Sequence, residues 1–252
     1  MKDKTTRLFY ILGAFFVANA ILAEFIGVKV FSLEKTFGLL PLNFSMLGYK
    51  DLSFNLSAGV LIWPVVFIMT DIINEYFGIR GVRFLSFTAA ALILYSFLTV
   101  YLATYLSPAD FWIVRKTPHG SIDMQLAFNT VYGQGMWIIA GSLTAFLIGQ
   151  LVDVTVFHFF KERTGNPKVW LRATGSTLVS QFIDSFVVLI IAFYFGAGWN
   201  IGLVLAIGVV NYMYKFFIAV VFTPLLYLIH YFVDIYLGKE LAEKLMLEAT
   251  NK

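Results

Sequence analysis

The sequence predicts an all-α, polytopic membrane protein with six transmembrane helices. Of its 252 residues, 60% are hydrophobic and only 13% are charged, and the mean hydropathy is +0.81. A soluble domain carries about 25% charged residues, so this chain could not keep a soluble surface in water. Within the stretch 173–233 the only formal charges are Asp184 and Lys215.

Six apolar segments are long enough to cross a bilayer, which takes about 20 residues. They are 8–28, 56–77, 84–106, 134–157, 173–195 and 201–236. We expect them to form one transmembrane domain over residues 1–252. The first follows a basic start that resembles a signal peptide, but its apolar run is long enough to span, which favours an uncleaved helix. The last is too long for one upright helix, so we predict a short lead-in before Asn211 or a break near Pro224, and Pro64 is expected to bend the second span.

The distribution of Lys and Arg predicts that both termini are cytoplasmic. One set of segments carries twelve basic residues: Lys2, Lys4, Arg7, Arg80, Arg83, Lys161, Arg163, Lys168, Arg172, Lys239, Lys244 and Lys252. The alternate connections carry five: Lys29, Lys35, Lys50, Arg115 and Lys116. Basic residues concentrate on the cytoplasmic side of membrane proteins, which places the richer set there.

Six spans divide into two groups of three. An odd number in each half makes the second half enter from the opposite side, which is the inverted-repeat arrangement of many transporters. Acidic residues recur in the second and fifth spans, at Asp71 and Asp184. Two inverted three-helix repeats are therefore a hypothesis for this chain.

Asp184 and Lys215 lie at matching depths on adjacent antiparallel spans. At about 1.5 Å per residue, Asp184 is ~18 Å before Gly196 and Lys215 is ~21 Å after Ile201. Charges inside a membrane usually face a protein interior or a wet cavity, so we expect the two side chains to approach each other. A salt bridge that holds two helices together and a substrate or proton site are both compatible with this placement.

The second and fourth spans carry further polar residues. Asp71, Asn74 and Glu75 share one helical face, and we expect Asp71 to be functional and Glu75 to face water or pair with Arg80 or Arg83. Gln150 and Asp153 share a face of the fourth span, where a solvated cytoplasmic end is the role expected of Asp153.

The fifth and sixth spans complete the polar set. Thr177, Ser180, Gln181 and Asp184 share one face, which can serve as helix-packing glue or as a cavity lining. Asn211 and Lys215 lie four residues apart in the last span. We therefore expect a central cavity with aromatic walls, lined by Asp71, Gln181, Asp184, Asn211 and Lys215. In the first span the polar exceptions are Asn19 and Glu24.

Several function classes find no support in the sequence. There is no cysteine, the three histidines lack ligand spacing, and neither a GxxxxGK[ST] loop nor an HExxH motif occurs. We expect no enzyme activity, no metal and no cofactor. The carboxylates, amides, hydroxyls and aromatic rings instead suit a small, planar, hydrogen-bonding heterocycle.

Four motifs, in order, resemble the queuosine precursor transporter family, which was formerly grouped as a vitamin-uptake family. They are MTDIINEYFG, GQLVDVTVFHFFK, WLRATGSTLVSQFIDSFVVLIIAFYF and NYMYKFFIAVVFTPLLYLI. The resemblance covers about Leu56 to Tyr236. The positions that match the family pattern are Asp71, Gln150, Asp153, Ser176, Thr177, Asp184 and Lys215.

The resemblance implies an importer of 7-cyano- and 7-aminomethyl-7-deazaguanine in the bacterial cytoplasmic membrane, for salvage into tRNA modification. Combined with the polar inventory, it gives seven candidate substrate-binding residues: Asp71, Gln150, Asp153, Gln181, Asp184, Asn211 and Lys215. The expected partners are this heterocycle and the lipid bilayer, without direct nucleic-acid contact. A homodimer is considered solely because symmetric dimers are the commonest oligomers. The alternative is a substrate-binding subunit of an ATPase-driven vitamin or nucleobase uptake system.

Overall fold

The structure is a computed structural model that describes residues 2–133, 135–164 and 169–250. Gln134, at which the fourth predicted span begins, lies outside the described residues, as do Lys168 and Lys252 of the charge count. Within the described part, five helical stretches are long and apolar enough to cross a membrane. They are Lys4–Ile26, Trp63–Thr104, Met124–Arg163, Leu171–Phe195 and Ile201–Val221. The chain is a mostly helical, polytopic integral membrane protein.

The first helix, α1, runs over Lys2–Ile26 and leads into a long connection. The connection contains β1 (Val30–Ser32), the short helix α2 (Leu33–Thr36), β2 (Phe44–Met46), β3 (Tyr49–Leu52), β4 (Asn55–Ser57) and a 3-10 turn (Ala58–Leu61). β1 pairs with β4 and β2 with β3, both antiparallel. The strands satisfy backbone groups that a loop over the bundle would leave without partners. The chain is therefore helical in its spans, whereas this connection is built mainly of short strands and loops.

The helix α3, Trp63–Thr104, contains a sharp reversal at Gly78. Gly78 has φ 69° and ψ −172°, a conformation that only glycine adopts readily. Gln150 Oε1 lies 3.1 Å from Thr70 Oγ1 and 3.4 Å from Ser86 Oγ, although a straight helix would hold these hydroxyls about 24 Å apart. The two arms of α3 consequently run side by side, and they correspond to the second and third predicted spans.

The start of the second predicted span differs from expectation. Residues 56–62 belong to β4 and the 3-10 turn, and α3 begins only at Trp63. The expected bend at Pro64 is wrong, because Pro64 occupies the first turn of the helix. A proline there loses no helical hydrogen bond, since the first amides of a helix have no intrahelical acceptor.

The second long connection contains α4 (Asp110–Ile113), the hairpin β5 (Val114–Thr117) and β6 (Gly120–Asp123), and α5 (Met124–Tyr132). The Asp123 side chain caps α5 by accepting a hydrogen bond from the Leu126 amide, at 2.9 Å. The long helix α6 then spans Met136–Thr164.

The last part of the chain is helical throughout its apolar stretches. It contains α7 (Val169–Leu189), a π-helical extension (Ile190–Phe195), α8 (Ile201–Val221), α9 (Thr223–Leu237) and α10 (Lys239–Thr250). The break between α8 and α9 falls at Phe222, two residues before Pro224, which confirms the predicted interruption.

The bundle has two distinguishable ends. The loop end carries the two long connections and the turn before α8, where Tyr49 Oη donates to Asn200 Oδ1 at 2.6 Å. At the opposite, terminal end, Lys4 Nζ donates to the carbonyl oxygen of Tyr236 at 3.2 Å, and a Cβ at Gly78 would lie 2.9 Å from the Ala249 carbonyl oxygen. The start of α1, the reversal of α3 and α10 therefore share one end.

The apolar core joins α1, both arms of α3, α6 and α9. Its most buried members include Phe16, Ile72, Ile93, Phe157 and Leu226. In a bilayer, lipid tails are as apolar as these side chains, so close van der Waals packing rather than the hydrophobic effect holds such a core together. Many large apolar side chains outside the core remain exposed, as expected for a lipid-facing surface.

Candidate functional site

Asp184 and Lys215 form a direct ion pair between α7 and α8. Lys215 Nζ donates to Asp184 Oδ2. The predicted approach of the two side chains is confirmed. Their side chains are 21% and 12% exposed, so the pair is not sealed in the core. It borders open space on both sides, and the two cavities there define the candidate site.

The larger cavity has a volume of about 470 Å³ and lies toward the loop end. Small-molecule sites typically occupy 300–1,000 Å³, so this cavity can hold a heterocycle. Its polar lining includes Asp184, Asn211 and Lys215 of the predicted set. Trp63 and Phe193 supply aromatic walls. The π-helical extension contributes part of the lining, and such irregular turns are frequent at functional sites.

The smaller cavity has a volume of about 50 Å³ and lies farther from the loop end. It is lined by Asp71, Gln181 and Lys215, with Phe67 and Tyr214 among its rings. This volume holds only a few water-sized molecules, far less than a purine-sized base. The single cavity that we expected is thus divided in two, and Lys215 lines both parts.

Gln150 and Asp153 line neither cavity. Both are buried in α6, and Asp153 Oδ1 accepts a hydrogen bond from Ser180 Oγ at 3.1 Å. The expectation of a solvated cytoplasmic end for Asp153 is wrong, because α6 continues to Thr164 and holds this carboxyl well inside the bundle. In this structure the two residues connect α6 to its neighbours, Gln150 through Thr70 and Ser86.

Glu75 is the anion of a buried ionic cluster near the terminal end. Arg172 donates to its carboxylate from Nη2 at 2.6 Å and from Nε at 3.0 Å, and Lys161 Nζ lies 3.6 Å from it. The expectation that Glu75 faces water or pairs with Arg80 or Arg83 is wrong. The reason is that α6 and α7 extend past the apolar runs and turn Lys161 and Arg172 inward.

Three further polar contacts surround this cluster. Asn74 Oδ1 lies 3.0 Å from His158 Nε2, and Tyr76 Oη donates to Asp234 Oδ1 at 2.6 Å while lying 3.1 Å from His230 Nδ1. The terminal end is therefore closed by ionic and hydrogen-bonded side chains from α3, α6, α7 and α9.

Glu24 is a residue of the larger cavity that the predicted site set does not contain. Ser142 Oγ of α6 lies 2.5 and 2.6 Å from the two Glu24 carboxylate oxygens. Its position as a lone carboxylate inside the first apolar span is the sequence signal that could have found it, since such residues are rarely kept without use.

The residues that the structure describes contain no group of three or more His, Asp or Glu side chains placed to hold a metal ion. The arrangement instead offers two carboxylates, an ammonium, an amide and aromatic faces around one cavity. Such a set can bind a planar molecule by its edge and stack on its faces.

Comparisons with known proteins agree on a transporter. At 28% identity, the chain is similar to a "Probable queuosine precursor transporter" of Bacillus subtilis (strain 168), over 67% of this chain and 69% of the relative. A protein of the same name from Haemophilus influenzae is 27% identical, over 69% and 68% of the two chains. The "Queuosine precursor transporter" of Escherichia coli (strain K12) is 26% identical, over 68% and 71%.

These relatives are transporters rather than enzymes, as the sequence predicts for this chain. No solved structure matches the chain. The family model described as "Putative vitamin uptake transporter" matches residues 57–229, which extend from the end of β4 into α9. The chain belongs to this family of membrane transporters, as the four ordered motifs indicate.

Proposed function

We propose that the protein imports 7-deazaguanine precursors of queuosine, in their 7-cyano and 7-aminomethyl forms, across the bacterial cytoplasmic membrane. The names of the three relatives support this substrate class. The observation that carries the proposal is the cavity of about 470 Å³ that holds an ion pair, an amide and aromatic rings together.

The chemistry of the base matches the lining of this cavity. A deazaguanine presents N–H donors along one edge beside a carbonyl acceptor. Asp184 accepts from the donors, while Lys215 or Asn211 donates to the carbonyl, and the rings of Trp63 and Phe193 cover the faces. Asp71 and Gln181, which line the smaller cavity, contact the base only after it moves deeper.

We also propose six crossings with both termini cytoplasmic. The crossings are α1, the two arms of α3, α6, α7 with its π-helical extension, and α8 with α9. The contact of Lys4 with Tyr236 supports an even number, because it joins the start and the end of the membrane domain at one face. The inverted repeat, which groups the first three crossings against the last three, stays a prediction.

The test is uptake of labelled 7-cyano-7-deazaguanine by the purified protein in liposomes. We expect accumulation without any added ATPase. Asp184→Asn and Lys215→Gln each remove one charge-assisted hydrogen bond, which predicts an uptake loss of about tenfold to a hundredfold. Lys239→Gln, at an exposed position of α10, is the matched control and should transport normally.

Other results have defined meanings. If the purified protein binds the base but does not transport it alone, the alternative function, a substrate-binding subunit of an ATPase-driven uptake system, replaces the proposed one. If both Asp184→Asn and Lys215→Gln fail to insert or fold, the ion pair is structural and its role in binding is withdrawn.

A further inference from the structure

Glu24 is a buried carboxyl group without a cationic partner among the described residues. It lies near the end of α1, is 8% exposed, and meets the Ser142 hydroxyl at 2.5 and 2.6 Å. Asp184, in contrast, is paired with Lys215. One hydroxyl does little to compensate a buried negative charge, so Glu24 must either hold a proton or meet a cation from outside the chain.

Glu24 lies where a positively charged group of a bound ligand can reach it. Glu24 lines the larger cavity together with Asp184 and Lys215, which are the charged side chains facing it from α7 and α8. With all three groups ionised, the described lining carries one more negative than positive charge. A ligand with a single positive charge would balance the charge of this lining, whereas with a neutral ligand the Glu24 carboxyl would stay protonated.

We propose that Glu24 is the residue that recognises a protonated primary amine on the ligand. The inference rests on the proposed function, because the two precursor forms differ in this group. An aminomethyl group carries an alkyl ammonium at neutral pH, as a lysine side chain does, and offers three donors. A cyano group is neutral and offers none. If Glu24 holds a proton before binding, the ammonium replaces it and one proton leaves to solvent.

The structural alternative is that Glu24 only ties α1 to α6 through Ser142. The selectivity between the amine and the nitrile ligand distinguishes these two interpretations. A positioning contact supports both ligands equally, while a recognition contact favours the amine over the nitrile.

The experiment measures two concentrations, that of unlabelled amine and that of unlabelled nitrile, each of which halves the uptake of labelled nitrile into liposomes. The ratio of these two concentrations gives the preference for the amine. Glu24→Gln keeps the shape and removes the charge, so the preference for the amine relative to the nitrile should fall by at least about tenfold, the worth of one charged hydrogen bond. Ser142→Ala is the matched control, because it removes the link between α1 and α6 but keeps the carboxyl. It should change the same ratio by less than about threefold.

A ratio that Glu24→Gln leaves within about threefold of the unmodified protein overturns the proposal. If the unmodified protein responds to neither ligand, the proposed function fails and this inference fails with it, whereas a response to both with an unchanged ratio removes the inference alone.

If Glu24→Gln does not fold, the pH dependence of ligand preference in the unmodified protein tests the proposal instead. A proton competes with the ammonium for Glu24, so the preference for the amine should fall by about tenfold as the pH is lowered from 8 to 5. Asp184 and Lys215 face both ligands in the same cavity, so a change at either side chain affects both arms of the ratio. A ratio that stays flat over this range contradicts the proposal.

Discussion

Removing the charge of Glu75 tests the buried ionic cluster. Glu75 serves two cations, since Arg172 donates two hydrogen bonds to it at 2.6 and 3.0 Å and Lys161 lies 3.6 Å away. Glu75→Gln leaves both cations buried without this anion. Breaking a buried pair by removing one partner costs about 3–5 kcal/mol, and we expect a loss in this range in the free energy of unfolding.

Arg172→Met is the informative comparison. It leaves Glu75 paired with Lys161, so its cost should be smaller, about 2 kcal/mol, close to the value of a charged hydrogen bond. The matched control is Lys244→Met, which breaks an exposed pair in which Lys244 Nζ lies 3.9 Å from Glu248 Oε1 and should change stability by less than about 0.5 kcal/mol.

The assay is reversible unfolding in mixed micelles with increasing dodecyl sulfate, followed by circular dichroism. The expected order of destabilisation is Glu75→Gln, then Arg172→Met, then Lys244→Met. If Arg172→Met is as costly as Glu75→Gln or costlier, Glu75 is not the shared anion of the cluster and the reasoning is refuted.

Three further outcomes follow from contacts already described. Asp184→Asn alone should destabilise the protein by about 1–3 kcal/mol more than the double change Asp184→Asn with Lys215→Met, because the single change strands an ammonium; equal stabilities of the two variants in the same micelle assay would count against the pair. Gly78→Ala should cost about 1–3 kcal/mol, since its backbone conformation is almost restricted to glycine, and a wild-type unfolding midpoint would show that the reversal tolerates a side chain. Burial works to raise the pKa of Glu34, but hydrogen bonds to its carboxylate, led by the one from the Phe54 amide, outweigh it and hold the pKa below 4.5. A lowered folded-state pKa adds stability at higher pH that is lost on acidification. The Phe54 amide should therefore exchange its hydrogen faster as the pH falls below 4.5, after correction for intrinsic exchange. In Glu34→Gln this acid-dependent increase should be absent.

The sequence predicted the elements that depend on apolar length and on charge. The long apolar helices, the interruption before Pro224 and the pairing of Asp184 with Lys215 all follow from local runs of residues. A bilayer restricts backbone to helices in such runs, so few alternatives exist. The strands of the two long connections were not predicted, because short strands outside the membrane depend on pairing partners rather than on a strong local pattern.

The parts of the site that were missed depend on which way a helix face turns. Lys161 and Arg172 were counted as cytoplasmic charges, yet both point into the bundle toward Glu75. Nothing in the spacing distinguishes a basic residue that faces water from one that faces a buried acid. Glu24 was noted as a polar exception, but its shared cavity with Asp184 becomes visible only when α1, α6 and α7 are assembled.

The reversal at Gly78 has a consequence for how the protein enters the membrane. The two arms of α3 meet without an intervening loop, so their association carries almost no loop-closure entropy. Contacts between residues close in sequence form early in folding, and this helical hairpin is a local tertiary unit. Thr70 and Ser86 would then already stand side by side when α6 arrives, and Gln150 would dock onto a prepared pair of hydroxyls. This one glycine would in this way set the order in which the bundle is assembled.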